Sequence, residues 1–572
     1  MSLNRRRFLE SASAAVLGTA ANLSGSARSA ASQEGEVLYN GVRLPRQWPP
    51  RLEELSGEPM AVPDYRPAVI PIDVGRQLFV DDFLIEQTTL VRKFHTATYH
   101  PNCPVLRPDR YWEKACEQRP AAMPFPDGVW YDPAYGRFRM WYRAAFMPST
   151  TCYAESQDGV KWEKPALDLP LQFDPSYGGE AARLGSNIVQ PTDRDAATVW
   201  LDLNEADPKR RYKFARIPWI NEDSDERLWL NLYFSPDGIH WSNLVTRSGP
   251  CGDWSAFFYN PFRKVWVFNL RSYFKGVGRC RRYWESADFV AGANWTTGQP
   301  TLWVGADRLD PPEPPVPNGM CQLYSLVAVA YESVMLGCFS IMRGQNLAYF
   351  AGEVRKGNDI VLGYSRDGFY WNRPDRRPFI AKSSKPGDWN YDYLHSASAC
   401  CLIVGDKLYF YVCGRSDLHI HPDAYHSTGL AILRRDGFAS MQADEAGGTL
   451  TTRPVRFGSN YLFVNADAAS GELRAEVLDE QGRVVEPFTQ ARCGPVGGDS
   501  TLTQVKWKGV SSLAGLAGKP VRFRFLLRKA SLYAFWVSRE ASGASQGYVA
   551  AGGPGFTGAT DTVGADAYKA TK

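Results

Sequence analysis

The sequence predicts an all-β chain, a five-bladed β-propeller followed by a C-terminal β-sandwich. Three observations carry that reading. Short runs such as "RFRMWYRA", "VWVFNLRS", "KLYFYVCG" and "VRFRFLLR" cluster aromatic and β-branched residues between Gly, Pro, Asn and Asp, and almost no stretch keeps a helical period. A phrase repeats: Ser156-Gln-Asp158-Gly159-Val-Lys-Trp162 returns at Ser235-Pro-Asp237-Gly238-Ile-His-Trp241 and at Ser365-Arg-Asp367-Gly368-Phe-Tyr-Trp371. A stretched copy runs from Ser286 and Asp288 to Trp295, and a degenerate one spans Arg435 to Phe438. Third, a strand, tight turn, strand phrase precedes each copy, as in "WYDPAYGRFRMWY" and "FYNPFRKVWVFNL".

The repeating unit is therefore hairpin, loop, strand, Asp-Gly turn and Trp-bearing strand, and five such units fit between about Glu113 and Gly437. Units of four short strands arranged this way are propeller blades. Their uneven spacing places insertions of different length on one face, the usual setting of a binding site.

In chain order, residues 1–33 hold Arg5, Arg6 and Arg7 before Phe8 and Leu9, then a mildly apolar stretch and small residues, which reads as a twin-arginine signal peptide for bacterial export to the periplasm or beyond. Residues 34–73, rich in Pro, Glu and Arg, read as a linker. The propeller is expected over 74–447, with strands in 74–100 closing the ring against the last blade. Alternating strands with Asn, Gly and Asp turns over 448–540 predict the sandwich. The Gly/Ala/Ser/Thr-rich stretch 541–572 is expected to be a disordered tail.

Composition narrows the partners. The 572 residues are 44% hydrophobic, enough for a large core and more than one domain. A net charge of +4 with no long run of either sign argues against nucleic acid. No segment is long and apolar enough to span a bilayer, so no membrane association is expected once the signal is removed. The 18 Trp and 28 Tyr suit β-rich cores and also a cleft whose ring faces stack on sugars. The 11 Cys show no Cys/His spacing for zinc and are expected mostly as buried apolar residues. A protein exported already folded does not need disulfides, though one or two remain open.

In a propeller the innermost strand of each blade begins at the mouth of the central funnel, so polar residues at those starts converge. The candidates are Asp81 and Asp82 in "LFVDDFLIE", Glu113 and Glu117 in "YWEKACEQRP", Asp253 in "CGDWSAFF", and Asp392 and His395 in "NYDYLHSA". Arg271 and Arg282 supply cations. Carboxylates facing one another across a funnel suit glycoside hydrolysis, one protonating the leaving oxygen while the other acts as base or nucleophile. Asp158, Asp237 and Asp367 recur in blade after blade and are read as structural, as is Glu332 in a hairpin turn. No redox cofactor is implied, and no loop motif supports a Ca²⁺ site.

The segments "RQLFVDDFLIE", "FRMWYRA", "ESQDGVKWEKP" and "LRRDGFASM", with "TTRPVRFGSNYLFVNADAASGELRAEVLDEQG" after them, resemble exported planctomycete-type proteins similar to glycoside hydrolase family 32. The resemblance implies the five-bladed propeller shared with families 32, 43 and 68, often followed by a β-sandwich. The family 32 signatures W-M-N-D-P-N-G, R-D-P and E-C are not in the sequence, so fructosidase activity does not follow. On the looser pattern of family 43, Asp82 or Asp253 is expected as base or nucleophile and Glu113 or Glu117 as acid. The function expected is cleavage of a plant or algal poly- or oligosaccharide. The alternatives are a non-catalytic carbohydrate-binding propeller and a sialidase-like hydrolase drawing on Arg271, Arg282 and Tyr273.

Overall fold

The structure, a computed structural model, describes residues 35–114, 120–145, 149–167, 169–171, 185–219, 227–312, 321–343, 357–391, 393–416 and 425–571. The expected signal lies outside them.

Five four-stranded sheets form the ring. Their inner strands are Ala122–Asp132, Arg194–Leu201, Ala256–Asn260, Gln322–Glu332 and Tyr393–Val404, in blades 1 to 5. The second strands, Arg137–Ala144, Tyr212–Pro218, Val265–Phe274, Val334–Met342 and Lys407–Arg415, pair with them antiparallel through the predicted hairpins. One apolar cluster runs through all five blades, including Trp141, Phe214, Phe268, Phe339 and Phe410. That is where the aromatic runs are spent, since each large ring buried between blades removes apolar surface from water. Among the ten described cysteines, all with free thiols, nine are buried. No helix of the described residues is long and apolar enough to cross a membrane.

The predicted ring closure holds only for the last part of residues 74–100. Thr98–Tyr99 pairs with His426–Arg434 as the outermost strand of blade 5. Ile85–Thr88 and Val91–Phe94 instead flank a nine-stranded sheet with most of the C-terminal strands. Its longest strand, Tyr461–Leu478, pairs through its first half with Ala530–Ser538 and through its second half with Arg522–Arg528. A second apolar core fills this module, and Leu38, Val42, Leu44, Ile70 and Ile72 from the stretch read as a linker belong to it.

The tail is ordered. Tyr548–Val549 pairs with the C-terminal end of the blade 4 inner strand, Tyr331 opposite Val549. Ala551 N–H donates to the Cys401 carbonyl at 3.0 Å, Tyr131 N–H to the Ala551 carbonyl at 2.9 Å and Ile403 N–H to the Gly552 carbonyl at 2.9 Å. The tail thus stoppers the channel at the end opposite the mouth, bonded to blades 1, 4 and 5. Its small residues are a steric requirement: a Cβ on Gly553 would stand 1.7 Å from the Ile403 carbonyl oxygen. The composition that read as disorder is the composition a chain needs to thread between inner strands.

The same end holds the repeated turns. Asp158 Oδ1 accepts from the N–H groups of Val160 and Lys161, both at 2.8 Å, while Ser156 Oγ accepts from Gly159 N–H at 2.9 Å. Asp237 and Asp367 do the same in blades 2 and 4. Glu332 is structural too: buried, it pairs with Arg435 at 3.1 Å and Arg76 at 3.4 Å where propeller, tail and second module meet.

Candidate functional site

The opposite end of the ring gathers chemistry from every blade. Asp195 stands at the start of the blade 2 inner strand, and Asp253 and Trp254 just before that of blade 3. Tyr324 and Ser325 come from blade 4, Tyr393 and His395 from blade 5, and Phe125 from blade 1. The Asp253 side chain is 41% exposed and meets Arg271 Nε at 3.0 Å. Asp195 Oδ1 lies 3.2 Å from Arg143 Nη1, and that guanidinium sits 5.4 Å over the Phe125 ring. Burial pushes the Tyr324 hydroxyl pKa up; Arg279, over its ring at 4.9 Å, opposes this, while Asp253 and Asp195 both add to the rise. Two carboxylates from adjacent blades therefore act on one phenol.

Trp254, between Asp253 and that strand, has φ of +56°, a left-handed conformation that a bulky side chain adopts at a cost of about 1–3 kcal/mol. The surroundings enforce it. Arg281 Nη1 donates to the Trp254 carbonyl at 2.8 Å, and the buried indole packs on Phe125 at 5.1 Å and His395 at 4.8 Å. Such strain next to a solvent-facing carboxylate is the pattern of a site whose geometry is fixed in advance.

Of the sequence-predicted residues, Asp253, Arg271 and His395 come together here. His395 is buried within an aromatic wall, its ring 4.2 Å from Tyr393 and 4.6 Å from Tyr324, with Nδ1 3.2 Å from Ser325 Oγ. It forms the floor of the mouth. Arg282 does not join them: successive strand residues point to opposite faces, and it donates to Ser272 Oγ at 3.2 Å and the Pro300 carbonyl at 3.1 Å. With Arg282 turned to the other face, the set Arg271, Arg282 and Tyr273 is not assembled.

Asp82 is 73% exposed and pairs with Arg92 on the nine-stranded sheet, because the chain leaves the propeller there. Asp81 accepts a bidentate bond from Arg366, at 2.7 and 3.0 Å, beside the blade 4 turn at the far end. Glu113 is buried on the flank of blade 1, accepting from the Tyr142 hydroxyl at 2.6 Å and from the N–H groups of Asp109 and Arg110, with Lys164 at 2.7 Å. Every acceptor site of that carboxylate is occupied, which suits a structural knot. A groove of about 480 Å³ lined by Arg107, Asp109, Trp162 and Lys164 lies beside it, apart from the inner-strand residues. Glu117 and Asp392 lie outside the described residues. Among the described residues no group of three His, Cys, Asp or Glu gathers as a metal site.

Asp195 and Arg143 were not picked out from the sequence. Asp195 follows from the rule that selected Asp253, since "RDAATVWL" opens an inner strand. The arginines carry a periodic signal as well: each second strand bears one at or just past its mouth end, as Arg143, Arg216, Arg271, Arg343 and Arg415. Two aspartates with paired guanidinium groups, a buried phenol and a buried imidazole bring together groups able to transfer protons.

No protein-family profile matches the chain, and no curated protein matches it in sequence. Among solved structures, a GH43_12 protein retrieved from capybara gut metagenome is 9% identical, covers 77% of this chain and 96% of its own, and has a TM-score of 0.36. The Bombyx mori GH32 β-fructofuranosidase is 12% identical, with 75% and 97% covered and a TM-score of 0.30. A putative glycoside hydrolase from Bacteroides ovatus is 15% identical, with 59% and 96% covered and a TM-score of 0.35. Scores of this size carry nothing from those proteins to this chain, whose five-bladed propeller rests on its own strand pairing.

Proposed function

We propose that this chain is an exported glycoside hydrolase that cleaves a poly- or oligosaccharide at the propeller mouth, with Asp253 and Asp195 as the working carboxyl pair. The observation that carries the reading is their placement at the mouth ends of adjacent blades, Asp195 at the start of the blade 2 inner strand and Asp253 just before that of blade 3, each paired with a guanidinium group at 3.2 and 3.0 Å. One carboxyl group hands its proton to the leaving glycosidic oxygen while the other activates water or attacks the anomeric carbon. The strained Trp254 backbone and the His395 floor fix Asp253, so little reorganisation is left for the reaction itself. Export follows from the twin-arginine signal expected in residues 1–33.

A glycan panel assayed with wild type, Asp253→Asn, Asp195→Asn and Asp82→Asn tests this. The first two variants lose about 10²-fold or more in kcat/KM while Asp82→Asn keeps wild-type activity. Full activity in both mouth variants on a cleaved glycan would falsify the assignment. Glycan binding without cleavage of any member would instead establish a carbohydrate-binding propeller.

A further inference from the structure

Blade 3 presents an unusual concentration of positive charge to this mouth. Arg271 and Arg281 lie directly opposite each other on paired strands, and Arg279 is the next residue of the same strand face, opposite Tyr273. Like charges directly across an antiparallel pair are destabilising. Burial brings the Arg281 guanidinium pKa down to about 9, with Arg271 adding to the fall, and burial with Arg279 brings Arg271 down to about 10. Among the described residues Arg281 donates to two backbone carbonyls, those of Trp254 and Tyr324, so its charge supports the mouth from beneath. Arg279 lies over the Tyr324 ring and Arg271 beside Asp253, its side chain 12% exposed. A fold accepts such a local conflict where a function gains from it.

We infer that Arg271 and Arg279 bind an anionic substituent of the saccharide, a carboxylate or sulfate ester on the sugar ring seated beside Asp253. The planar fork of a guanidinium group matches both anions in bidentate fashion, and stacking Arg279 on Tyr324 preorganises that fork. Asp253, at 3.0 Å from Arg271, offsets only part of the charge of three clustered guanidinium groups, and an anionic substituent adds negative charge that a neutral sugar does not bring. This rests on the mouth being the saccharide site, and it names the substrate class.

The test is binding, measured by calorimetry on the full chain with oligogalacturonides, sulfated galactan oligosaccharides, and neutral arabino- and xylo-oligosaccharides. Wild type binds at least one anionic set about tenfold or more tightly than the neutral sets, and the preference weakens as salt rises. Arg279→Gln removes that preference, while Arg279→Lys restores part of it. Thermal unfolding of each variant establishes that it is folded. The carboxylated and sulfated arms tell the two anions apart. Equal or tighter binding of neutral sugars, no binding of either anionic set, or a preference that survives both Arg279→Gln and Arg271→Gln overturns the inference. The hydrolase reading fails separately, since charge-selective binding without cleavage removes it alone, and cleavage of neutral glycans without charge preference removes this inference alone.

Discussion

Trp141 of blade 1 donates its indole N–H to the carbonyl oxygen of Gly238 in the blade 2 turn at 2.6 Å. The relationship repeats: the Tyr411 hydroxyl of blade 5 reaches the Gly159 carbonyl at 2.5 Å, and the Trp303 indole of blade 3 reaches the Phe369 carbonyl at 2.7 Å. Each Ser-x-Asp-Gly turn is thus a buckle that the preceding blade closes. The phrase repeats because the joint repeats.

Gly238 is required there twice over. Its φ of +73° is left-handed, and a Cβ would stand 2.4 Å from the Trp141 ring. Gly238→Ala therefore forces either the turn or the indole to move, at a cost of roughly 2 kcal/mol or more. Trp141→Phe leaves the carbonyl without its donor and costs about 1–3 kcal/mol, in addition to any loss of packing. Both variants lower the thermal unfolding midpoint and leave activity per folded molecule unchanged, because the turns lie at the end of the ring opposite Asp253. An unshifted midpoint for Gly238→Ala would show that the buckle contributes nothing.

The same turn gives opposite pH responses in two blades. Burial raises the Asp367 carboxyl from 3.8 to about 6, against the pull of the Phe369 and Tyr370 N–H groups. The Asp158 carboxyl is exposed; burial still pushes it up, but the N–H groups of Lys161 and Val160 win and its pKa falls below the usual value. Between pH 4 and 6 the folded chain holds a proton on Asp367 that the unfolded chain has lost, so this group removes roughly 3 kcal/mol of stability as pH rises through that window. Asp158 has the opposite sign, with its contribution present above pH 4 and lost as pH falls through its lowered folded value. An Asn at either position still offers an oxygen to the turn. Asp367→Asn consequently gains on wild type as pH rises from 4 to 6, whereas Asp158→Asn loses ground on leaving acid. Parallel denaturation curves from pH 2 to 7 measure both, and Asp367→Asn tracking wild type throughout would refute the raised value.

The blades were legible because each carries its own local signals, a hairpin, an Asp-Gly turn and a Trp. Asp158, Asp237 and Asp367 could be set aside from the site on repetition alone, and their backbone bonds bear that out. The mouth was less legible because membership depends on which strand is innermost and which face a residue takes. Asp253 and Arg271 share that face, while Arg282, one residue beyond Arg281, does not. Asp82 follows an extended run like any blade strand, yet its partner Arg92 belongs to a sheet completed about 350 residues later, a pairing no local pattern announces. The tail failed for a third reason: Gly and Ala are common both in chains that cannot fold and in chains that must fit a narrow channel.

The tail ties into the buried ion-pair cluster where the ring meets the second module. Ser545 Oγ donates to Glu332 Oε2 at 2.6 Å, Asp561 lies 3.4 Å from Arg435, and Tyr568 accepts from Arg435 at 3.3 Å. Burial raises the Tyr568 hydroxyl pKa, but Arg435 and Arg76 outweigh it and draw the value below 10, consistent with a phenol serving a buried cationic pair. Truncation after Ala541 strips Glu332 and Arg435 of these partners while leaving both buried charges behind. It also uncovers the backbone ends of three inner strands at Tyr131, Ala330 and Cys401. Each lost backbone bond costs about 1 kcal/mol and a broken buried ion pair about 3–5 kcal/mol, so the truncated chain is expected to lose more than ~5 kcal/mol or to be insoluble. Gly553→Ala, whose Cβ would meet the Ile403 carbonyl, is the gentler probe: it lifts the stopper without removing it and should speed proteolysis within residues 541–571. A truncated chain that unfolds at the full-length midpoint, with Gly553→Ala as protease-resistant as wild type, would mean that the tail merely rests on the ring and that the propeller closes without it.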